Sequence, residues 1–361
     1  MKQDILIVGG YGAVGRSVVK ELIKTCPNKI VIAGRNLNKA EAFVKEIDHP
    51  LRIMKLNIYD IDQLNEAFAT VHSVVMCLEA TDTKFAEACI DNGVNYIDIS
   101  ASNEIPNQIK YLESKAIHNH VACILGVGIA PGLSTLLAKK LVDEMDQVTQ
   151  LNFALMLGLG EQHGVDGVKW FLNNLRTNFE VNSVITKPFI EMFHANFFES
   201  QRPRKAYSFN LADRQIISKT LNIYNVNTYF CYDSKFMTDL IHILKRIGML
   251  NLLKNPKIFN LFLKIFSSNT LSKSRTLTET IALHVNITGT SEGKNITSYG
   301  NIIGNNSSAL TGKVIAYVAQ QLYQNLYPAG VHYLNEVMNL DEIADVLEGD
   351  FSVKISFCSE I

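Results

Sequence analysis

The chain has 361 residues, of which 19% are charged and 47% hydrophobic, and a formal net charge of −1. That length exceeds one ordinary nucleotide-binding domain and suits two, and the composition supports a large buried core rather than disorder. A near-neutral charge balance leaves no electrostatic footprint for a nucleic-acid partner, and no apolar run reaches transmembrane length.

The N-terminus enters a strand at once, which leaves no room for a signal peptide. Ile5, Leu6, Ile7 and Val8 form an apolar run expected of a parallel strand buried on both faces. Gly10, Gly12 and Gly15 follow at the spacing G-x-G-x-x-G, and a helical pattern then opens with Val18, Val19, Leu22 and Ile23 on one face. In that context each glycine has a task. Gly10 permits the strand-to-helix turn, Gly12 lets backbone approach a pyrophosphate, and Gly15 lets the helix sit close on the sheet. The helix N-terminus supplies free N–H groups and a positive dipole end for the phosphates. Gly10, Tyr11, Gly12, Ala13, Val14 and Gly15 are therefore expected to line a dinucleotide.

The second strand, K-I-V-I-A-G-R-N, ends about twenty residues past the last glycine, where an NAD site places Asp or Glu on the ribose 2′-hydroxyl. Here stand Gly34, Arg35 and Asn36, with Lys39 a helical turn on. A carboxylate repels a 2′-phosphate, whereas a guanidinium binds it through two charge-assisted hydrogen bonds. Arg35 and Asn36 thus point to NADP(H).

Further along, the pattern gives a helix over 38–47, a strand over 51–56, a helix over 60–68, and a fourth strand over 73–78. Leu78, at the end of that strand, is expected against the cofactor. A helix over 83–92 stopped by Gly93, a fifth strand over 95–100 and a sixth over 121–127 complete the alternation, for which a mostly parallel sheet is the economical solution. The six cysteines, at 26, 77, 89, 123, 231 and 358, show no C-x-x-C spacing. They read as reduced thiols of a cytoplasmic protein, and Cys123, mid-strand in V-A-C-I-L, reads as core rather than as a nucleophile.

From 126 the run G-V-G-I-A-P-G-L-S marks a hinge, followed by a helix over 134–143. Alternating runs at 148–157 and 279–289 then suggest an antiparallel sheet with one exposed face. Residues 240–278 carry seven cations and no acid. They read as a helix pair packed over the cleft or against a second subunit, with a membrane-surface helix as the alternative. A long amphipathic helix over 311–326 is placed to cross back onto the nucleotide sheet, and 351–357 reads as a closing strand without an assigned partner.

Several residues carry types suited to chemistry. Glu161 and His163, in G-L-G-E-Q-H-G, suit proton transfer near neutral pH, although the run reads equally as a solvated glycine-rich turn. Asp98 ends the fifth strand, where open α/β sheets place ligand contacts, or else it caps the next turn. Tyr111 and Lys115 form the Y-x-x-x-K pair of short-chain carbonyl reductases, but no Asn-Ala-Gly follows strand four. The H-N-H run at 118–120 is not a metal-ligand spacing, so no metal is expected. Arg176, Arg202 and Arg214 are available to a substrate carboxylate.

The stretches V-G-G-Y-G-A-V-G at 8–15, A-G-R-N at 33–36, A-C-I-D-N-G-V-N-Y-I-D-I-S at 88–100, G-V-G-I-A-P-G-L at 126–133 and P-A-G-V-H at 328–332 resemble the saccharopine dehydrogenase-like family of NADP-linked oxidoreductases. Ala130 departs from the Asp that saccharopine reductases often carry before this proline, which argues against saccharopine as substrate. The resemblance implies a Rossmann doubly wound parallel sheet with an inserted α+β second domain holding a largely antiparallel sheet. The nucleotide domain would span 1–130, completed by a helix from 308–340. A substrate and dimerisation domain would span 131–307, and 341–361 would hold the closing strand. It further implies a homodimer and hydride transfer at the C–N bond of an amino acid or polyamine derivative. The substrate would lie between Leu78–Glu79, the Pro131 hinge and the 158–170 segment, with His163 first, then Glu161 and Asp98, as proton-transfer groups. A non-catalytic NADP-binding sensor is the alternative of a different class, since a Rossmann fold alone does not require turnover.

Overall fold

The computed structural model describes residues 2–160, 165–198, 202–267, 279–348 and 354–360. The chain divides into two compact units, Met1–Leu133 with Ser308–Met338, and Ser134–Ser307 with Asn339–Ile361.

In the first unit the chain alternates strand and helix through β1 (Asp4–Val8), α1 (Ala13–Thr25), β2 (Ile30–Gly34), α2 (Leu37–Ile47), β3 (Arg52–Lys55) and α3 (Ile61–Ala67). It continues through β4 (Val71–Met76), α4 (Lys84–Asp91), β5 (Asn95–Asp98), α5 (Glu104–Ile109), α6 (Glu113–His118) and β6 (Ala122–Leu125). With the late strand Gly330–Tyr333 these form a seven-stranded, wholly parallel sheet in the order Gly330–Tyr333, β6, β5, β4, β1, β2, β3. Every residue of β1 and β2 is buried, as a strand covered on both faces by helices requires. Gly93, at φ +61°, follows α4 in the left-handed conformation that an L side chain resists.

The helix Ser307–Tyr323 packs on α1 through Gly312, where a Cβ would lie 2.6 Å from the Ser17 Cβ. The P-A-G-V-H-Y-L run, for which the sequence pattern gives no element, contains the strand Gly330–Tyr333, with Val331 beside Cys123. Four residues that follow a proline and open on a glycine at φ +135° are too short to show a period.

The second unit contains α7 (Ser134–Val142), β7 (Gln147–Leu157), α8 (Val165–Arg176), β8 (Phe179–Val181), β9 (Val184–Thr186), β10 (Met192–Ala195), β11 (Arg204–Ser208), α9 (Asp213–Thr220) and β12 (Val226–Tyr232). There follow α10 (Lys235–Arg246), a 3-10 turn at Met249–Lys254, α11 (Pro256–Ser267), β13 (Thr280–Ser291) and β14 (Lys294–Asn305). Its main sheet runs β10, β11, β12, β7, β13, β14 and then the strand Lys354–Glu360, the partner of which is β14. All neighbours are antiparallel except β12 and β7.

One expectation is corrected here. Alternation in β7 holds only for its outer half, whereas Leu151 to Met156 is buried at every position because the strand is central and covered on both faces. On one side Ala154, Met156 and Ala282 pack with Ala195, Phe197, Ala206 and Cys231. Elsewhere in the unit, Phe171 of α8 joins Phe189, Phe209 and Phe230 in an aromatic cluster. As far as it is described, the basic stretch has α10 on β11 and β12 and α11 on α8. The His242 ring stacks on Tyr207 at 4.2 Å, and Lys245 Nζ donates to the Leu175 carbonyl at 2.6 Å. Among the described residues no helix is long and apolar enough to cross a membrane.

Candidate cofactor-binding site

The glycine loop leaves β1 at the carboxyl edge of the sheet, where strand order reverses between β1 and β4. The left-handed residue of the turn is Gly9, at φ +78°, rather than Gly10. A Cβ on Gly9 would stand 2.8 Å from Leu78 Cδ2, so Leu78 lies directly against the loop. Gly10 is needed for closeness instead, since a Cβ there would meet the Ile7 carbonyl and Ile32 at 3.1 Å. Gly15 has no room at all, with Gly9 O at 2.4 Å from such an atom. Gly12 caps α1 without any side-chain hydrogen bond, and the first turn of α1, beginning Ala13–Val14, holds no acid. A thirteen-residue helix with uncapped N–H groups beside a side-chain-free loop fits a pyrophosphate.

At the end of β2, Arg35 and Asn36 are exposed and Gly34 is buried. Asn36 caps α2, its Oδ1 accepting from Lys39 N at 3.1 Å, and no acid stands in that helix's first turn. Among the described residues, Arg35 and Lys39 form no ion pair. Tyr11 reaches across from the loop, its hydroxyl oxygen accepting from Asn36 N–H at 3.1 Å. Glycine loop, Leu78 and the β2 end thus share one edge of one unit.

Asp98 closes β5 on the same edge but is wholly buried. Its Oδ2 accepts from Ser100 N–H at 3.0 Å and its Oδ1 from the Ser100 hydroxyl at 2.8 Å. The Tyr96 hydroxyl and the Gly126 amide also bond to it. Burial pushes its carboxyl up to about 6, and the Ser100 bonds hold it from rising further. Asp98 also accepts, through its carbonyl, from Val127 N–H at 2.9 Å, and so ties the ends of β5 and β6. Sequence reasoning finds this residue by its strand-end position but misses Gly9, Tyr96 and Ser100, which no motif marks.

Glu161 and His163 lie outside the described residues. Tyr111 is 89% exposed in a turn before α6, and Lys115 is paired with Asp91 at 2.8 Å, so the two do not form a catalytic couple. His118 and His120 are exposed, and among the described residues no three histidine, cysteine or acidic side chains converge. Arg176 lies over Phe259 and donates to the Leu253 carbonyl, while Arg214 is half-buried over Phe179 and bonded to Asn210. Arg202 is exposed. Cys77, Cys89, Cys123 and Cys231 are unpaired, and burial pushes the thiols of Cys77 and Cys231 up to about 12. Buried thiols of that kind are packing groups rather than nucleophiles.

A parallel sheet of this order with a glycine cradle at its switch point defines a Rossmann dinucleotide-binding domain, and the second unit of the chain holds a mixed, mostly antiparallel sheet. Residues 5–124 match the family model of the saccharopine dehydrogenase NADP binding domain. The whole chain has the fold of the apo saccharopine dehydrogenase (L-Glu forming) from Saccharomyces cerevisiae. That likeness has a TM-score of 0.74 at 13% identity and covers 99% of this chain and 100% of that one. Two further structures are similar at 15% identity, each covering 95% of this chain and 99% of the other. They are the C. glutamicum DAP dehydrogenase with DAP, at a TM-score of 0.47, and an engineered D-amino acid dehydrogenase bound to NADP+, at 0.49. No curated protein matches the chain.

Proposed function

We propose that this protein is an oxidoreductase that moves hydride between NADP(H) and the C–N bond of a small amino acid or polyamine derivative. The observation that carries the reading is the β2 end, where Gly34, Arg35 and Asn36 replace a ribose-binding acid beside the glycine cradle. The cradle residues Gly10 to Gly15 bind and orient the pyrophosphate, Arg35 takes the 2′-phosphate, and Leu78 excludes water from the edge of the loop. The bound cofactor supplies or accepts the hydride. Proton transfer at nitrogen is assigned to His163, with Glu161 behind it, while Asp98 holds the ends of β5 and β6 in place. Homodimerisation and a cytoplasmic, reducing location belong to the same proposal, the latter supported by the five unpaired cysteines of the described residues.

Titration with NADPH and NADH tests the cofactor, and turnover of amines, imines and keto acids tests the reaction. NADPH is expected to bind more tightly, and Arg35→Glu to weaken it by about 2–4 kcal/mol, one lost charge-assisted contact plus repulsion. Preference for NADH overturns the specificity. Tight NADPH binding without turnover of any such compound favours the sensor.

A further inference from the structure

Tyr11 occupies the middle of G-x-G, a position that the dinucleotide motif leaves open to any residue. In this fold its half-buried side chain folds back over the loop's neighbouring strand. It lies across the end of β2, so that a Cβ on Gly34 would fall 2.5 Å from the hydroxyl oxygen and 2.6 Å from Cε1. The hydroxyl oxygen also accepts from Asn36 N–H at 3.1 Å. A phenol has one proton to give, and with the backbone N–H donating into its oxygen that proton is directed elsewhere. Beside it stand the exposed Arg35, Lys39 and the N-terminus of α2, whose first turn is free of acid. The neighbourhood is one of donors and positive charge.

We propose that Tyr11 reads the 2′ position of the dinucleotide, its hydroxyl donating to a 2′-phosphate oxygen while Asn36 N–H fixes the phenol and the ring fills the space above Gly34. This rests on the NADP(H) reading and deepens it. The ring stands where a side chain at position 34 would project. An acid at the β2 end therefore has no place until Tyr11 moves, and moving Tyr11 removes a phosphate donor. Cofactor choice is held by two interlocked residues, 11 and 34, in addition to the charge of Arg35.

The test is calorimetric binding of 2′,5′-ADP and 5′-ADP to the full chain, which separates the 2′-phosphate from the nicotinamide and from turnover. The wild type is expected to bind 2′,5′-ADP more tightly. Tyr11→Phe, which keeps the ring, should weaken 2′,5′-ADP about tenfold, the worth of one charge-assisted hydrogen bond, and leave 5′-ADP unchanged. Gly34→Ala adds no charge but displaces the phenol, so it should reproduce that loss, and the double variant should lose no more than either alone. Equal losses for both nucleotides, no loss in Tyr11→Phe, or additive losses in the double variant overturn the interlock while leaving NADP specificity standing. A wild type that does not distinguish the two nucleotides overturns the NADP reading itself. Should Gly34→Ala fail to fold by circular dichroism, Tyr11→Phe decides alone.

Discussion

The hydroxyl of Ser134 donates to Oδ1 of Asp213, a bond between two buried residues that joins the start of α7 to the first turn of α9. Oδ2 of Asp213 has no hydrogen-bond partner among the described residues, and burial pushes the carboxyl up to about 6. Because the folded value lies above the unfolded one, this group's contribution to stability falls as pH rises from about 4 through 6. Ser134→Ala should therefore cost about 1–3 kcal/mol and cost more at pH 7 than at pH 5, since the charged form loses its donor. Urea denaturation at the two pH values measures this, and equal costs at both would show that Ser134 does not support the charged form.

The second unit should also be acid-sensitive through His284. The ring is buried, bonded at Nδ1 to Asn301 Oδ1 at 2.7 Å, and flanked by Phe193, Phe197 and Tyr299. Asn301 Oδ1 only accepts, so Nδ1 carries the proton. Burial holds the group down to about 4, below its ordinary 6.5, so stability present above pH 6.5 is lost as pH falls through 4. The loss attributable to this residue is about 3 kcal/mol. His284→Gln should flatten the fall in denaturation midpoint between pH 6.5 and 4, and an unchanged profile would discount the histidine.

Gly312 sets how closely the helix Ser307–Tyr323 approaches α1. A Cβ there would meet backbone as well as side chain, the Ser17 carbonyl carbon at 2.8 Å and Val18 N at 3.0 Å. Gly312→Val should destabilise the protein by about 1–3 kcal/mol or more through overpacking, lowering the thermal midpoint. Gly93 serves as the contrast, because space is open around it and only its φ of +61° resists a side chain.

Removing the Tyr111 hydroxyl should do nothing. The residue is almost fully exposed and its intended partner Lys115 is held by Asp91. Tyr111→Phe is expected to leave turnover unchanged, whereas a large fall in kcat would restore a carbonyl-reductase mechanism.

The first unit is largely legible in the sequence because its signals are local: buried β-branched runs, three spaced glycines, and Arg35 where an acid would stand. What escapes is set by tertiary contact. Gly9 is set apart from Gly10 by its left-handed φ of +78° and by the approach of Leu78, a residue about seventy positions away. Asp98 is visible as a strand end, but its burial goes with contacts to Gly126 and Val127 past the end of β6, which no window of sequence contains. The second sheet is harder still, because β7 pairs parallel on one side and antiparallel on the other, so its pattern fits neither rule. The strand Gly330–Tyr333 is too short to announce itself.

That last strand has a consequence for synthesis. Until it arrives, β6 is an edge with unpaired backbone groups, and the chain must add about 200 residues, the Ser134–Ser307 part of the second unit among them, before Gly330–Tyr333 emerges to cover it. At ribosomal speeds of about 5–20 residues per second, the nascent nucleotide domain carries an open, hydrophobic edge for about 10–40 s. Stalled or truncated chains ending before residue 330 would keep it permanently, and chaperone engagement of such ribosome-bound intermediates should cease once that strand clears the exit tunnel.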